Sequence, residues 1–328
     1  MVPTLVGLSI LIFFVSRILP GDPARLALGP DATKEQVQKL RKEMGLDDPL
    51  HIQYLTYVQG LLHGDWGKSL ITHRNVLDDL KERLSASIEL TTAAMILAII
   101  IGIPLGVIAS NNKDRWEDNL SRAVSFAGVS MPRFWVGILL QILVYLIISR
   151  FYNWPIFGRI GVDPPRYITG LYTVDSLLTL NWSAFSSSLK HLMLPAFTLS
   201  LASIAQITRM IRASMIEQSR KDYILAAKAF GLPSNLIVYK YMLKNAFSST
   251  LTVIGMIYGF LLGNAFLVEA VFSWPGLAGY GIKAVIHFKD FNAITGVVIV
   301  IGVMFLLVNF IVDILYGFLD PRIRYGEK

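Results

Sequence analysis

Residues 86–109 read ASIELTTAAMILAIIIGIPLGVIA, with Glu89 as their one charged side chain. A run of this kind can carry a helix across a hydrocarbon core, which takes about 20 mostly apolar residues for about 30 Å. Stretches at about 2–19, 123–149, 191–214, 246–268 and 292–318 meet the same criterion. The chain as a whole agrees with them, since 54% of its 328 residues are hydrophobic and 16% are charged. A soluble domain of this length could hardly hide so much apolar surface. The expected fold is an all-α membrane protein with six transmembrane helices. Gly102, Pro104 and Gly106 in the second span, like Gly296 and Gly302 in the sixth, are tolerated in bilayer helices whose neighbours satisfy the freed backbone groups. Those two spans are expected inside a bundle.

The first span starts MVPTLVGLSILIFFVSRILPGD, with no basic residue ahead of it and Arg17 near its far end. A signal peptide needs a cationic start and a small-residue cleavage site, so residues 1–19 read as a retained helix. Orientation follows from Lys and Arg in short loops. Segments 111–122, 209–245 and 320–328 hold thirteen such residues in 58, against six in 63 for segments 150–190 and 269–290. The richer set is assigned to the cytoplasm. Both termini, including the 320–328 tail, are then cytoplasmic, residues 20–85 form an external insert, and 86–319 make up the membrane core. The net charge of +7 and the isoelectric point near 9.5 thus report topology, and nucleic acid is not expected as a partner. With no cysteine, disulfides, thiolate metal sites and thiol nucleophiles are excluded.

The insert reads as helical. Thr33 and Gln36 have the spacing of a capping box, Val37, Leu40 and Met44 share a face, and Gly45 suits a helix end. A second helix is expected from Asp48-Pro49 to Gly64, with Tyr54, Leu55, Val58, Leu61 and Leu62 on one stripe. A third is expected from Asn75, carrying Val76, Leu77, Leu80 and Leu84. Between them lies HGDWGKS at 63–69, which resembles the end of a phosphate-binding loop. That loop needs G-x-x-x-x-G-K-[ST], because its first glycine makes the turn that aims backbone N–H groups at phosphate. Leu62 stands in that place, a helix precedes it where a strand is required, and its side is external. The stretch therefore reads as a turn, with Gly64 and Gly67 permitting positive φ and Trp66 packing on the insert or at the membrane interface.

No catalytic constellation emerges. His51, His63, His73, His191 and His287 lack the spacing of a helical metal pair, and no nucleophile elbow or H-E-x-x-H helix occurs. Neither a metal nor a bound cofactor is expected in this chain. Acidic residues are almost absent from the spans, with Glu89 near the outer end of the second and Asp313 near the inner end of the sixth. An ion-coupled secondary transporter usually carries such groups at mid-membrane.

The longest cytoplasmic connection, about 215–245, contains DYILAAKAFGLP at 222–233. A connection of this length usually has a task. Ala226, Ala227 and Ala229 leave one face able to approach another protein closely, Gly231 ends a helix, and Leu232-Pro233 starts the next element. A generic interfacial amphipathic helix would read similarly.

DYILAAKAFGLP resembles the coupling-loop motif of membrane subunits of binding-protein-dependent ABC importers of the dipeptide/oligopeptide permease type. The likeness extends over nearly the whole chain through ILPGDPA at 18–24, GDWGKSL at 64–70, SMPRFWVG at 130–137, LMLPAFTLSL at 192–201, VFSWPGLAGYG at 271–281 and FLDPRIR at 318–324. The resemblance implies a type I importer permease that forms half of a pathway for peptides or a similar small solute. It implies a second homologous permease, two ATP-binding subunits that use ATP and Mg, and an external solute-binding protein, all meeting at the cell membrane. It also implies that this chain is not an enzyme and that Asp222, Ala226, Ala227, Gly231 and Leu232 couple to an ATP-binding subunit. In the importer pattern E-A-A, three residues, then Gly, the acidic place falls on Leu225. Arg133 stands where relatives have a small polar residue, and is a candidate for the pathway or an interface. Many relatives begin with a short basic segment, whereas this chain begins almost within its first span, so the completeness of its start is left open. A membrane-anchored solute sensor and an ion-coupled carrier are the alternatives.

Overall fold

The structure is a computed structural model, and it describes residues 2–18, 23–29, 31–43, 45–147, 154–288 and 290–319. The expected tail at 320–328 lies outside the described residues. Along the chain, α1 spans Val2–Ile18, α2 Pro23–Leu28, α3 Lys34–Glu43, α4 Leu50–His63 and α5 Val76–Asn111. Then follow α6 (Trp116–Ser130), α7 (Arg133–Ile147), α8 (Tyr172–Leu178), α9 (Trp182–Gln218) and α10 (Asp222–Ala229). Next, α11 (Ser234–Leu236) widens into a π-helical turn at Ile237–Met242 and continues as α12 (Leu243–Asn264). The chain closes with α13 (Phe266–Val271), α14 (Leu277–Lys283), a second π turn at Ala284–Phe288, and α15 (Phe291–Leu319). It divides into two compact units, Met1–Ser87 with Pro275–Leu306, and Ile88–Trp274 with Leu307–Lys328.

In the first unit the local signals act as their chemistry requires. Thr33 Oγ1 accepts from Gln36 N at 3.3 Å while Gln36 Oε1 accepts from Thr33 N at 2.9 Å, so each satisfies a free donor at the start of α3. Gly64 ends α4 with φ +82°, and Gly67 turns the chain again at φ +74°. The expected third insert helix and second span form one continuous helix, α5. Val76, Leu80, Leu277, Tyr280, Ala293 and Val297 form the apolar core, with Trp66 packed against it. Contact there is close enough that a Cβ on Gly296 would lie 2.9 Å from both Leu80 Cδ1 and Val76 Cγ1. Residues 64–80 fold against 277–297, and Phe13 of α1 packs on Tyr54 and Tyr57 of α4, with ring centroids 5.4 and 5.7 Å away.

In the second unit α9 is the central element, with α6, α7, α8 and α12 packed around it. It starts nine residues ahead of the expected 191, capped by Asn181 Oδ1, which accepts from Ala184 N at 3.1 Å. Gly102 and Gly106 bring α5 against α9: a Cβ on Gly106 would sit 2.7 Å from Ile211 Cβ and 2.9 Å from Thr208 O. These glycines are the close approach that a bundle interior needs.

The single span expected at 123–149 is instead two helices, α6 and α7, bent by 105°. Pro132 supplies no N–H, and its ring drives Met131 into extended backbone (φ −88°, ψ 132°), so the helix must stop there. The expected 246–268 span begins earlier, is bent by 55° between Ser234–Phe247 and Thr250–Asn264, and gives way to α13. Among the described residues three helices are long and apolar enough to cross a membrane alone, or up to five crossings if each bent pair counts as one. The expected first span, α1, has 17 residues, below the length of those helices.

Candidate functional site

The 222–232 segment is built as a short helix with a stop. Phe230 N donates to Ala226 O at 3.0 Å, Gly231 N to Lys228 O at 3.0 Å and Leu232 N to Ala227 O at 3.2 Å, with Gly231 at φ +72°. These bonds satisfy the last carbonyls of α10 and reverse the chain, and only a residue at ease with positive φ can do this. Ile224 and Ala227 are buried, and α10 lies against the π turn, whose Ile237 and Met242 are buried as well. Tyr223 Oη donates to Gln218 Oε1 at 2.8 Å and accepts from Asn245 Nδ2 at 3.1 Å, fastening the helix between α9 and α12. The outward face carries Asp222, Leu225, Ala226, Ala229 and Phe230, the last 85% exposed.

This corrects the reading of the small residues. Ala226, Ala227 and Ala229 do not share one face, because successive residues on a helix are turned by about 100°. Ala227, 7% exposed, falls three residues after Ile224 on the inward side, away from the face that carries Ala226 and Ala229. Its small size lets α10 lie close on its own chain. Leu225, at the acidic place of the importer pattern, is 57% exposed.

Arg133 is the first residue of α7, at the 105° bend, and its Nη1 is buried without a hydrogen-bond partner among the described residues. Asp118 of α6 takes a bidentate grip from Arg212 of α9, at 2.5 and 2.7 Å, with Asp118 fully buried. The grip lies six residues before the end of α9.

Residues 102–325 match the family model described as binding-protein-dependent transport system inner membrane component, and residues 1–91 match the model of the N-terminal part of such components. The chain belongs to this family. A probable D,D-dipeptide transport system permease protein of Escherichia coli K12 is 41% identical over 98% of this chain and 94% of that protein. A dipeptide transport system permease protein of Alkalihalophilus pseudofirmus is 39% identical over 99% and 97%, and a glutathione transport system permease protein of E. coli K12 is 34% identical over 99% and 96%. Among solved structures, a chain of the inward-facing MetNI methionine ABC transporter aligns with TM-score 0.53 and 16% identity, over 72% of this chain and 93% of that one. That likeness concerns the fold, which is of the type I ABC importer permease kind. The chain is thus a membrane-embedded permease subunit, and ATP hydrolysis belongs to separate subunits.

In this permease the HGDWGKS stretch is a pinned turn. Ser69 N donates to Arg74 O and Val76 N to Gly67 O, both at 2.9 Å. Ser69 Oγ donates to Asp290 Oδ2 at 2.7 Å and Leu70 N to the same oxygen at 2.6 Å, while Asp290 Oδ1 accepts from Ala293 N at 3.1 Å at the start of α15. The hydroxyl that a nucleotide loop would turn to Mg is committed to a carboxylate. Lys68→Ala is therefore expected to leave ATP turnover of the assembled transporter unchanged. Nucleotide crosslinking to residues 60–70 that the substitution abolishes would contradict the turn.

Sequence reasoning missed the permease's buried polar pairings. Glu89, 5% exposed, receives Arg159 Nε at 2.8 Å and Nη2 at 2.6 Å on Oε2, and Thr173 N and Oγ1, both at 2.7 Å, on Oε1. Arg159 also donates to Gly170 O at 2.6 Å and lies 3.8 Å over the Tyr172 ring. Nearby, Asp175 accepts from Ile168 N, Thr169 N, Thr169 Oγ1 and Gly170 N. Burial pushes the Asp175 carboxyl up, but these donors outweigh it and hold it below the usual carboxylate range. The signal available was Glu89 itself, a lone carboxylate in an apolar run that requires a partner.

Proposed function

We propose that this permease forms half of the translocation pathway for peptides or a similar small solute, pairing with a second homologous permease, two ATP-binding subunits and an external solute-binding protein. The observation that carries the reading is the likeness to dipeptide transport permeases at 36–41% identity over 98–99% of the chain. Residues 20–85 face outward, both termini face the cytoplasm, and the cytoplasmic coupling loop at about 215–245 presents the outward face of α10 to an ATP-binding subunit. Asp222, Ala226 and Leu232 belong to that contact, Gly231 sets its exit, and Ala227 supports it from inside. ATP-driven closure of the ATP-binding pair is then transmitted through a rigid helix whose base is fixed by Tyr223 and by the Asp118–Arg212 grip. Six crossings result when α1 is counted with the three long helices and the two bent pairs. ATP and Mg are used by the partners, and this chain binds no cofactor. Arg133 faces the pathway or an interface, where its unpaired nitrogen finds an acceptor.

Gentle purification followed by mass spectrometry tests the assembly. The expected result is a complex holding two permeases, two ATP-binding subunits and a trapped peptide-sized solute. Uptake by the reconstituted chain alone, driven by an ion gradient, would establish a carrier instead, and ligand binding without transport a sensor.

A further inference from the structure

The turn that joins α8 to α9 holds an exposed leucine in a backbone conformation that leucine avoids. Leu180 N donates to Leu177 O at 3.1 Å and Asn181 N to Ser176 O at 2.9 Å, with Leu180 at φ +54°. This is the left-handed helix stop in which glycine is the usual residue, because a Cβ there crowds the neighbouring carbonyl. The other non-glycine residues with positive φ among those described, His73, Asp114 and Ser273, are all polar. Leu180 recovers nothing from burial, since it is 72% exposed. Local stability favours glycine at 180, so the use of the leucine lies outside the chain.

Its neighbours match it. Trp182 is 65% exposed, and Leu177 and Leu178 are exposed as well. Phe185 props the Trp182 ring edge-on, with centroids 6.2 Å apart. The base of the turn is fixed, because Thr179 Oγ1 donates to Asp175 O at 2.7 Å and the buried Asp175 carboxylate holds residues 168–170. An exposed tryptophan beside leucines on a rigid base is the make-up of an interface anchor whose ordering cost is met before binding.

Lipid does not reach this turn. α5 and α9 run side by side in the same direction, since Thr208 Oγ1 donates to Gly102 O at 3.2 Å and a Cβ on Gly106 would meet Ile211. Glu89 borders the uncharged run 90–109, and at equal rise along the two helices it is level with about residue 193 of α9. α8 starts at that level, where Thr173 binds Glu89, and climbs to the turn. Trp182 then stands about ten residues, or about 15 Å, beyond the apolar edge. A headgroup layer is only about 5–8 Å deep on each side.

We propose that the 177–182 turn is a docking point for the external solute-binding protein, with Leu180 and Trp182 entering an apolar recess on that protein. The proposal rests on the outward placement and partner set given under the proposed function. The family is described as binding-protein-dependent, so a soluble protein has to land on the outer surface of its members, and this turn offers it a rigid apolar projection clear of the lipid.

The test titrates the transporter, assembled in lipid nanodiscs, with its purified solute-binding protein and follows ATP hydrolysis. Leu180→Gly and Trp182→Ser should each raise the concentration for half-maximal stimulation about tenfold, the effect of losing one interface anchor, with the parent's maximal rate reached at saturation. Leu180→Met keeps the apolar reach and should match the parent. Leu180→Gly should melt no lower than the parent because it relieves the backbone, a combination that a merely structural leucine would not give. Benzoylphenylalanine placed at 182 as a photocrosslinker should join the binding protein. Equal half-maximal concentrations in the parent and both variants would overturn the docking point, as would a lowered melting temperature in Leu180→Gly or crosslinks confined to lipid, the second permease or another copy of this chain. A parent that its binding protein does not stimulate would overturn the assembly reading and the docking point with it, whereas a stimulated parent with indifferent variants overturns the docking point alone.

Discussion

Glu89→Leu is expected to destabilise the permease by about 3–5 kcal/mol, the usual consequence of removing one partner from a buried ion pair. Glu89 and Arg159 are 5% and 7% exposed, so water cannot replace the lost contact. The leucine leaves a buried guanidinium whose remaining supports are the Gly170 carbonyl and the rings of Tyr172 and Trp274, at 3.8 and 5.9 Å. It also frees the Thr173 N–H and hydroxyl, both now spent on Oε1. Glu89→Gln should cost less, since a neutral carbonyl still accepts from Thr173. The double variant Glu89→Leu, Arg159→Leu should recover part of the loss by removing the stranded charge, although Gly170 O and Thr173 N then lack partners. Thermal unfolding in detergent, with limited proteolysis across 154–171, measures the series. A single leucine variant as stable as the parent would show that the pair contributes nothing.

The legible and illegible parts of this chain divide along a physical line. The long apolar runs were plain because hydrocarbon demands them, and the caps at Thr33, Gly45 and Gly64 were plain because each answers a local backbone need. The break at Met131-Pro132 was also written locally, but the apolar run across it masked the proline's steric effect. Polar pairings such as Glu89 with Arg159, Asp118 with Arg212 and Ser69 with Asp290 join residues 70, 94 and 221 positions apart. No periodicity within a segment reports such partners. The same limit explains Ala227: the composition of α10 announced a close approach, and only the position of the π turn decided that the approach is to its own chain.

Ala227→Glu is expected to abolish coupled transport, and the structure separates its cause from that of the outward positions. A carboxylate at 227 would enter the buried side of α10, which also carries Ile224 and packs on the π turn, where an unpaired charge costs several kcal/mol and the added volume about 1–3 kcal/mol more. The helix should detach from the π turn, which proteolysis at 219–233 would detect, while membrane insertion and pairing with the second permease survive. Gly231→Val acts on the backbone alone. Nothing lies within 4 Å of the added Cβ, but φ +72° is strained for a β-branched residue, so the helix exit must rearrange. Leu225→Ser and Phe230→Ser lie on the exposed face, so they should leave chain stability unchanged and still lower substrate-stimulated ATP hydrolysis and transport about tenfold or more, as loss of an apolar anchor does at an interface. Co-purification of all subunits with paired transport and ATPase assays in vesicles reads the four variants together. If Leu225→Ser and Phe230→Ser assemble and transport like the parent, or if crosslinks place residues 222–232 outside the cell, α10 is not the coupling element.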